Sequence, residues 1–368
     1  MHLGELSITH FKNYASQKLS FSEALNCFVG LNGMGKTNLL DAVHYLCMGK
    51  SLFGLNDRNI VKHGEDFFRL EGRFALDGKT ERIVAKVIPG KQKEIERNGV
   101  AYARLSEHVG LIPVVFMAPD DTLLVREGSE ERRKFLDNTI SQLNDRYLSA
   151  LIQYNRLLNQ RNSALKQFAE SRSFNADLLD IYDRQIIPHG QLIYRVRQSF
   201  MEAFRPVLRE VYTLISGERE EADCRYRSKM HDKPLGELLT EAREKDRYLQ
   251  RTTVGLHKDD LLFTLDGHPL KRFGSQGQLK SFVLSLKIAQ YELLRREKSK
   301  RPLLLLDDIF DKLDRQRVGQ LLQLLLRGSF GQIFLTDTDG ERVEKIVAQM
   351  GMDYRIFQIT DGRAEPFE

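Results

Sequence analysis

The chain has 368 residues, with Lys+Arg 56 against Asp+Glu 51 for a net charge of +5, and 41% of its residues are hydrophobic. These proportions exclude intrinsic disorder and a collagen-like repeat. Single hydrophobic cores rarely grow past about 250 to 300 residues, so two structural lobes are expected. No stretch reaches the roughly 18 consecutive apolar residues of a membrane span. The start, Met1-His2-Leu3-Gly4-Glu5, has neither a basic flank nor an apolar signal region, so the expected compartment is the cytoplasm, with no membrane partner.

Cys27 and Cys47 sit within apolar periodic segments and Cys224 is remote from both. An odd count cannot close a disulfide framework, so all three read as small core residues. The histidines are scattered without zinc-site spacing, and no structural metal is expected. A pI near 8.9 favours an anionic partner, but a surplus of +5 over this length is a weak field by itself.

In chain order, the first 30 residues read as short strands: Leu6-Ser7-Ile8-Thr9 alternates, and an apolar run from Leu25 to Val29 ends at Gly30. A helix is predicted from Lys36 to about Met48. Between residues 67 and 103, alternating segments are broken by Asp77-Gly78, Pro89-Gly90 and Asn98-Gly99, dipeptides that favour tight turns between antiparallel strands. Pro113-Val114-Val115-Phe116-Met117 is a candidate buried strand. Beyond Pro119 the period changes to 3.6 and stays so to about residue 215, which predicts a helical insertion that Pro188-His189-Gly190 is expected to interrupt. A charge run at 217–221 marks its far end, followed by a short strand and a helix near 235–247. Strand character returns near Leu261. The last third then alternates: a hairpin at Asp266-Gly267, a helix from Gln278, a strand from Leu303 to Leu306, a helix over 315–327 and a strand over 333–335. Such alternation predicts a mainly parallel sheet covered by helices.

The sharpest chemical signal is Gly30-Leu31-Asn32-Gly33-Met34-Gly35-Lys36-Thr37, which fits GxxxxGK[ST] and lies between an apolar strand and an amphipathic helix opening with Asn38 and Leu39. Glycines at 30, 33 and 35 let backbone N–H groups, including that of Asn32, curl around phosphate oxygens. The helix N-terminus adds positive potential, Lys36 neutralises the β and γ phosphates, and the Thr37 hydroxyl ligates Mg²⁺. A nucleotide with Mg²⁺ is the expected ligand, and the resemblance set out below makes it ATP. Such a loop needs a strand that brings carboxylates to the metal, and Leu303-Leu304-Leu305-Leu306-Asp307-Asp308 supplies one. Asp307 is the candidate Mg²⁺ holder and Asp308 the candidate that polarises water, although either acid suits either role. Asp is a methylene shorter than Glu, which suits slow hydrolysis to ADP and phosphate.

Gly274-Ser275-Gln276-Gly277-Gln278 immediately precedes an apolar-striped helix. By itself it reads as an ordinary N-cap at Ser275. In order with the other two elements it resembles the ABC-type signature, in which Ser275, Gly277 and Gln278 would reach the γ-phosphate held by a second protomer. That resemblance implies a nucleotide-sandwiched homodimer. The stretch from Lys36 to Ser275 is longer than a transporter ATPase requires and far shorter than the coiled coils of SMC-type proteins. Further segments then resemble the RecF family of recombination and DNA-repair ATPases: Phe11-Lys12-Asn13-Tyr14, Pro119-Asp120-Asp121, Arg132-Arg133-Lys134-Phe135-Leu136-Asp137, Leu157-Leu158-Asn159-Gln160-Arg161-Asn162 and Gly255-Leu256-His257-Lys258-Asp259-Asp260.

The resemblance implies an α/β fold: an ABC-type P-loop ATPase head with an antiparallel β subdomain and an inserted helical arm. The expected division is 1–118 and 251–368 for the head and 119–250 for the arm. It implies ATP-driven dimerisation and DNA clamping, release by hydrolysis, assistance to loading of the recombinase RecA at gapped DNA, RecR and RecO as partners, and a nucleoid-associated place in the cytoplasm. Departures from the pattern exist. Asp311-Lys312-Leu313-Asp314 keeps only its last two family residues, with Asp314 still able to serve as the dimer-facing acid. Phe53 stands where an arginine often follows the first helix. A strand ending Thr336-Asp337-Thr338 lacks the histidine of transporter ATPases and leaves Thr336 and Asp337 as candidate γ-phosphate sensors.

Across residues 146–200 the basic residues Arg146, Arg156, Arg161, Lys166, Arg172, Arg184, Arg195 and Arg197 outnumber the acids at 170, 177, 180 and 183. Charge alone describes a solvated helix face. With the resemblance, Arg156, Arg161 and Lys166 become the candidate DNA contacts, directed mainly at phosphates and nearly independent of sequence. Since Trp is 0, duplex DNA is a better first expectation than stacked single strands. His257, Lys258, Asp259 and Asp260 suit a structural or DNA-facing loop better than a metal cluster, because adjacent side chains of alternating direction converge poorly. Two other classes stay open: a module in which nucleotide only glues a dimer, and a transporter-energising subunit.

Overall fold

A computed structural model gives the fold, and it describes residues 1–217, 220–309, 330–348 and 351–367. The chain forms two compact units, one from Met1–Asp121 with Gln290–Glu368, the other Thr122–Ala289. The helix expected over 315–327, and Asp314, lie outside the described residues.

The first unit holds two sheets. The strands β1 (His2–Phe11), β2 (Tyr14–Ser20), β4 (Phe68–Leu76), β5 (Lys79–Ile88), β6 (Gln92–Arg97) and β7 (Val100–Ala101) make an antiparallel sheet in the order β2-β1-β4-β5-β6-β7. Its tight turns fall where the Gly dipeptides predict them. Asp77 and Gly78 have φ of 50 and 77°, and Asn98 and Gly99 have 52 and 84°, the paired left-handed backbone that a two-residue hairpin needs to match strand twist. The other sheet runs β15-β14-β3-β13-β12-β8, from β3 (Leu25–Val29), β8 (Val114–Met117), β12 (Leu303–Leu306), β13 (Ile333–Asp337), β14 (Tyr354–Thr360) and β15 (Arg363–Pro366). All its pairings are parallel except β14 with β15. Parallel strands are covered on both faces, and β3, β12 and β13 are buried at every position, which is why apolar residues dominate them. Helix α1 (Lys36–Met48) follows β3. Buried Gln332 ties the sheets together: its side chain accepts from Leu3 N–H at 2.7 Å and donates to the carbonyls of Leu3 and Ser22 at 2.8 and 2.7 Å.

His108 lies fully buried in this unit, its Nε2 2.7 Å from the Leu46 carbonyl. Burial pushes its pKa down from 6.5 to about 4. An unfolded chain therefore takes up a proton near pH 6.5 that the folded chain refuses until about pH 4. Stability present above pH 6.5 is lost as the pH falls through that window. Thermal melts between pH 7 and 4 are expected to show the loss. His108→Gln, which keeps an N–H for Leu46, is expected to flatten it.

The second unit is mostly helical: α2 (Leu123–Arg126), α3 (Ser129–Leu143), α4 (Asp145–Glu170), α5 (Ala176–Ser216), α6 (Leu235–Leu249) and α7 (Leu270–Phe273), with the strands β9 (Ala222–Arg227), β10 (Asp260–Leu265) and β11 (His268–Pro269). Helix α8 (Gln276–Lys298) begins in it. Two expectations are corrected. First, α5 is continuous through Pro188 and also contains Pro206. A helix tolerates proline when packing outweighs the roughly 3 kcal/mol cost, and here Gly190 supplies the packing. A Cβ there would stand 2.3 Å from a Leu235 methyl and 3.4 Å from the Tyr154 ring, so the glycine permits close approach and does not end the helix. Second, residues 251–289 cluster with the helices, not with the C-terminal head segment. Strand β10 pairs with β9 from Asp260↔Arg227 to Leu265↔Ala222, and the Phe282 ring packs 5.2 Å from Phe263 and 5.9 Å from Tyr212.

Candidate nucleotide-binding site

In the first unit, residues 30–37 leave the end of β3 and curl into α1, with Gly30, Gly33 and Gly35 at φ of 149, 83 and 113°. Two of these glycines are also sterically required: a Cβ on Gly30 would lie 2.4 Å from the Ile359 carbonyl oxygen, and one on Gly35 would lie 2.5 Å from the Asn13 amide. Asn13 is a brace the motif itself did not reveal. Its Nδ2 donates to the Met34 carbonyl at 2.9 Å and its Oδ1 accepts from Asn38 Nδ2 at 2.8 Å. Tyr14 donates to the Gly35 carbonyl at 3.1 Å, and Gly362 N–H to that of Met34 at 3.0 Å. The loop is thus held in shape before any ligand arrives, which lowers the ordering cost of binding.

Lys36 is buried, and its Nζ donates to the carbonyls of Gly30 and Leu31 at 2.7 and 3.1 Å, curled inside its own loop. Thr37 Oγ1 donates to Asp307 Oδ1 at 2.8 Å, joining the loop to the end of β12. Between the two strands stands β13, and from it Thr336 Oγ1 donates to the same Asp307 oxygen at 2.7 Å and accepts the Asp308 N–H at 2.9 Å. Asp308 has φ of 43°, a left-handed turn that Asp tolerates better than most residues and that ends the strand at its second acid. Thr336 therefore positions both acids. Asp337, the other sensor candidate, is nearly fully buried and pairs with Arg342 at 2.5 Å. Asn32 is exposed.

Beside the loop, Lys12 bonds buried Asp41 at 2.6 Å, and its ammonium stands 4.7 Å from the centroid of the half-exposed Phe53 ring. Asp41 also accepts from Ser51 Oγ and Leu52 N–H at 2.8 and 2.7 Å, which fixes the segment that presents Phe53.

The signature segment belongs to the second unit. There Ser275 Oγ accepts from Gln278 N–H at 3.2 Å, while Gln278 Oε1 accepts from Ser275 N–H at 2.6 Å. This is a reciprocal capping box at the start of α8. Gln278 Nε2 also donates to Glu220 at 2.5 Å. Gly277 lies in the first turn of α8.

Of the candidate DNA contacts, Arg156 and Lys166 are exposed on α4. Arg161 is not: it is fully buried, donating from Nε to Asp183 at 2.7 Å and from Nη1 to Asp246 and Thr252 at 2.8 and 2.9 Å. A guanidinium paired on two sides inside the arm cannot reach a phosphate, so Arg161 is corrected to a structural residue. Arg197 is buried likewise, between Asp137 and Asp259 at 2.8 and 3.1 Å, and adds nothing to a basic face. The helical period that placed both on α4 and α5 does not say which side faces inward when acids elsewhere in the chain supply partners.

A family model described as RecF/RecN/SMC N terminal domain matches residues 2–360. DNA replication and repair protein RecF of Flavobacterium johnsoniae is 45% identical over 359 residues, spanning 98% of this chain and 100% of the relative. The chain belongs to the RecF family. A RecF of Parabacteroides distasonis is 42% identical over 368 residues, 100% of both chains. The family is one of DNA replication and repair, with a RecF/SMC-type ATPase fold. A solved structure of the recombination mediator protein RecF-ATPrS in the RecFOR pathway matches with a TM-score of 0.90 at 31% identity, over 100% of this chain and 98% of that one. An Smc head domain with an extended coiled coil, derived from Pyrococcus furiosus, matches at a TM-score of 0.55 and 16% identity, a likeness of fold alone. Among the described residues no helix is long and apolar enough to cross a membrane.

Proposed function

We propose that this RecF-family chain is a slow, Mg²⁺-dependent ATPase whose ATP-bound form closes into a homodimer around duplex or gapped DNA and opens on hydrolysis to ADP and phosphate. The observation that carries the reading is the Thr37–Asp307 hydrogen bond, which brings a hydroxyl and a carboxylate from distant parts of the sequence to 2.8 Å at the mouth of a braced glycine loop. Two hard oxygen donors at the phosphate end of the loop suit Mg²⁺, which takes one or two protein oxygens and completes its shell from phosphates and water. The ion, when bound, would neutralise charge on the β and γ phosphates. The chain's own residues do the rest. The amides of Asn32, Gly33, Gly35, Lys36, Thr37 and Asn38 cradle phosphate, Lys36 gives up its carbonyl partners for the γ-phosphate, and Asp308 orients water.

Ser275, Gly277 and Gln278 are proposed to complete the γ-phosphate site of a second copy, with Asp314 as the dimer-facing acid. The serine's capping role and this role use different partners: its oxygen caps the helix while its hydroxyl proton stays available to an anion. DNA is proposed to lie along the arm, contacted by Arg156 and Lys166, with RecR, RecO and RecA the partners that the family pathway suggests.

Sedimentation with and without ATP and duplex DNA tests nucleotide, dimer and DNA together, and a chain that stays monomeric with ATP overturns the clamp. Asp308→Asn is expected to keep ATP bound, slow turnover at least ~100-fold and trap the dimer on DNA. Should wild type turn over no faster than this variant, nucleotide acts only as dimer glue. Ser275→Arg is expected to abolish the ATP-dependent dimer while leaving monomer ATP affinity within about twofold. An unchanged dimer removes the trans role.

A further inference from the structure

Residues 251–259 form a connection with little regular structure of its own, a single 3₁₀ turn at Leu256–Lys258, and such segments are ordinarily mobile. This one is braced by the helices around it. Thr252 N–H donates to Asn162 at 2.7 Å and Thr253 N–H to Asp246 at 2.8 Å. Leu256 N–H donates to the Tyr154 hydroxyl at 3.1 Å, and Arg197 donates to the Leu256 carbonyl at 3.2 Å. His257 Nε2 closes the loop on the Thr252 carbonyl at 3.0 Å. Gly255, at φ 112°, has no room for a Cβ, which would meet the Tyr154 oxygen at 2.6 Å.

The bracing presents cations. Arg251 and Lys258 are exposed, and Arg133 of α3 reaches the same loop, donating to the Asp259 carbonyl at 2.8 Å and to Ser129 Oγ at 2.6 Å. None of the three is ion-paired among the described residues. The loop's acids are engaged elsewhere: Asp259 with Arg197, and Asp260 with Arg132 at 2.6 Å. Asp246, which the loop's Thr253 also contacts, is taken by Arg161. Partial burial, then the charges of Arg251 and Arg133, hold the Lys258 ammonium below the ordinary lysine range. Cations gathered on one loop repel, and an anion between them relieves the repulsion.

We infer that Arg133, Arg251 and Lys258 form a preformed phosphate site on the arm that takes a backbone phosphodiester of duplex DNA. The inference rests on the reading of the arm as DNA-binding and adds to it a group of cations on a loop whose backbone is braced, apart from exposed Arg156 and Lys166 of α4.

The test is duplex binding by the full-length chain with ATP, followed by fluorescence anisotropy across a salt series, for wild type, Lys258→Gln and Arg251→Gln. Each variant is expected to raise Kd about fivefold and to lower the slope of log Kd against log salt by about one, since one phosphate contact is lost. Melting temperature should not move, because neither side chain braces the loop. Wild-type binding with unchanged Kd and slope in both variants overturns the phosphate site and leaves the arm reading standing. Absence of duplex binding by wild type overturns the arm reading and the inference together. Stabilisation of wild type but not Lys258→Gln by inorganic phosphate, with duplex affinity equal in the two, overturns the DNA assignment in favour of a free anion.

Discussion

Lys36→Ala is expected to lower ATP affinity at least ~100-fold and to abolish the ATP-dependent dimer with it. In the structure the Lys36 ammonium is turned inward onto the carbonyls of Gly30 and Leu31, a place a phosphate would compete for without moving the backbone. Each hydrogen bond from a charged donor is worth about 1.5–3 kcal/mol. Losing two phosphate contacts therefore costs roughly 3 kcal/mol or more, which is at least a hundredfold in affinity. The fold should survive, since the loop is braced from outside by Asn13, Tyr14 and Gly362 and not by the lysine. Calorimetric titration with a non-hydrolysable ATP analogue checks both points. An affinity within threefold of wild type would remove Lys36 from the site.

The second large effect is on stability. Arg161→Ala leaves Asp183 and Asp246 as buried carboxylates without their guanidinium, and Asp246 is fully buried. Breaking a buried pair from one side costs about 3–5 kcal/mol. For a unit of this size that corresponds to a fall of about 10 °C in melting temperature. Arg243 lies 3.4 Å from Asp183 and can relieve part of the loss, but the other partner of the Asp246 carboxylate is uncharged Thr253. Lys166→Ala, on the exposed face of the same helix, is expected to leave the melting temperature within about 1 °C and to weaken duplex binding in a salt-dependent way. Differential scanning calorimetry beside duplex titration separates the two. An Arg161 variant that melts like wild type yet binds DNA more weakly would restore the direct contact that burial rules out here.

These two arginine and lysine positions show where the sequence is legible and where it is not. A 3.6 period places Arg161 and Lys166 on one helix, but five residues apart they point in different directions, and only the packed unit reveals that Thr252, Asp183 and Asp246 surround the first. The same holds for Ser275. Its spacing to Gln278 announces a capped helix, and the reciprocal bonds at 3.2 and 2.6 Å bear that out, yet nothing in the spacing places it in the helical unit. Pro188 and Gly190 were misleading for a related reason: local propensity marks a break, and the close approach of Leu235 outweighs it.

The sequence by itself determined the glycine loop, its flanking strand and helix, the acid-ended apolar strand and the Gly-dipeptide hairpins, because each is set by interactions among neighbours: backbone sterics, helix capping and the alternation of buried positions. Tertiary structure alone decided that Thr336 of β13 holds Asp307 and Asp308, that Asn13 excludes any side chain from position 35, that Arg161 and Arg197 are sealed inside the arm, and that Arg133 reaches the loop carrying Arg251 and Lys258. Those depend on which distant segments pair and on which charges are withdrawn from water, and the free energy of burying a charge is set by partners that no local window contains.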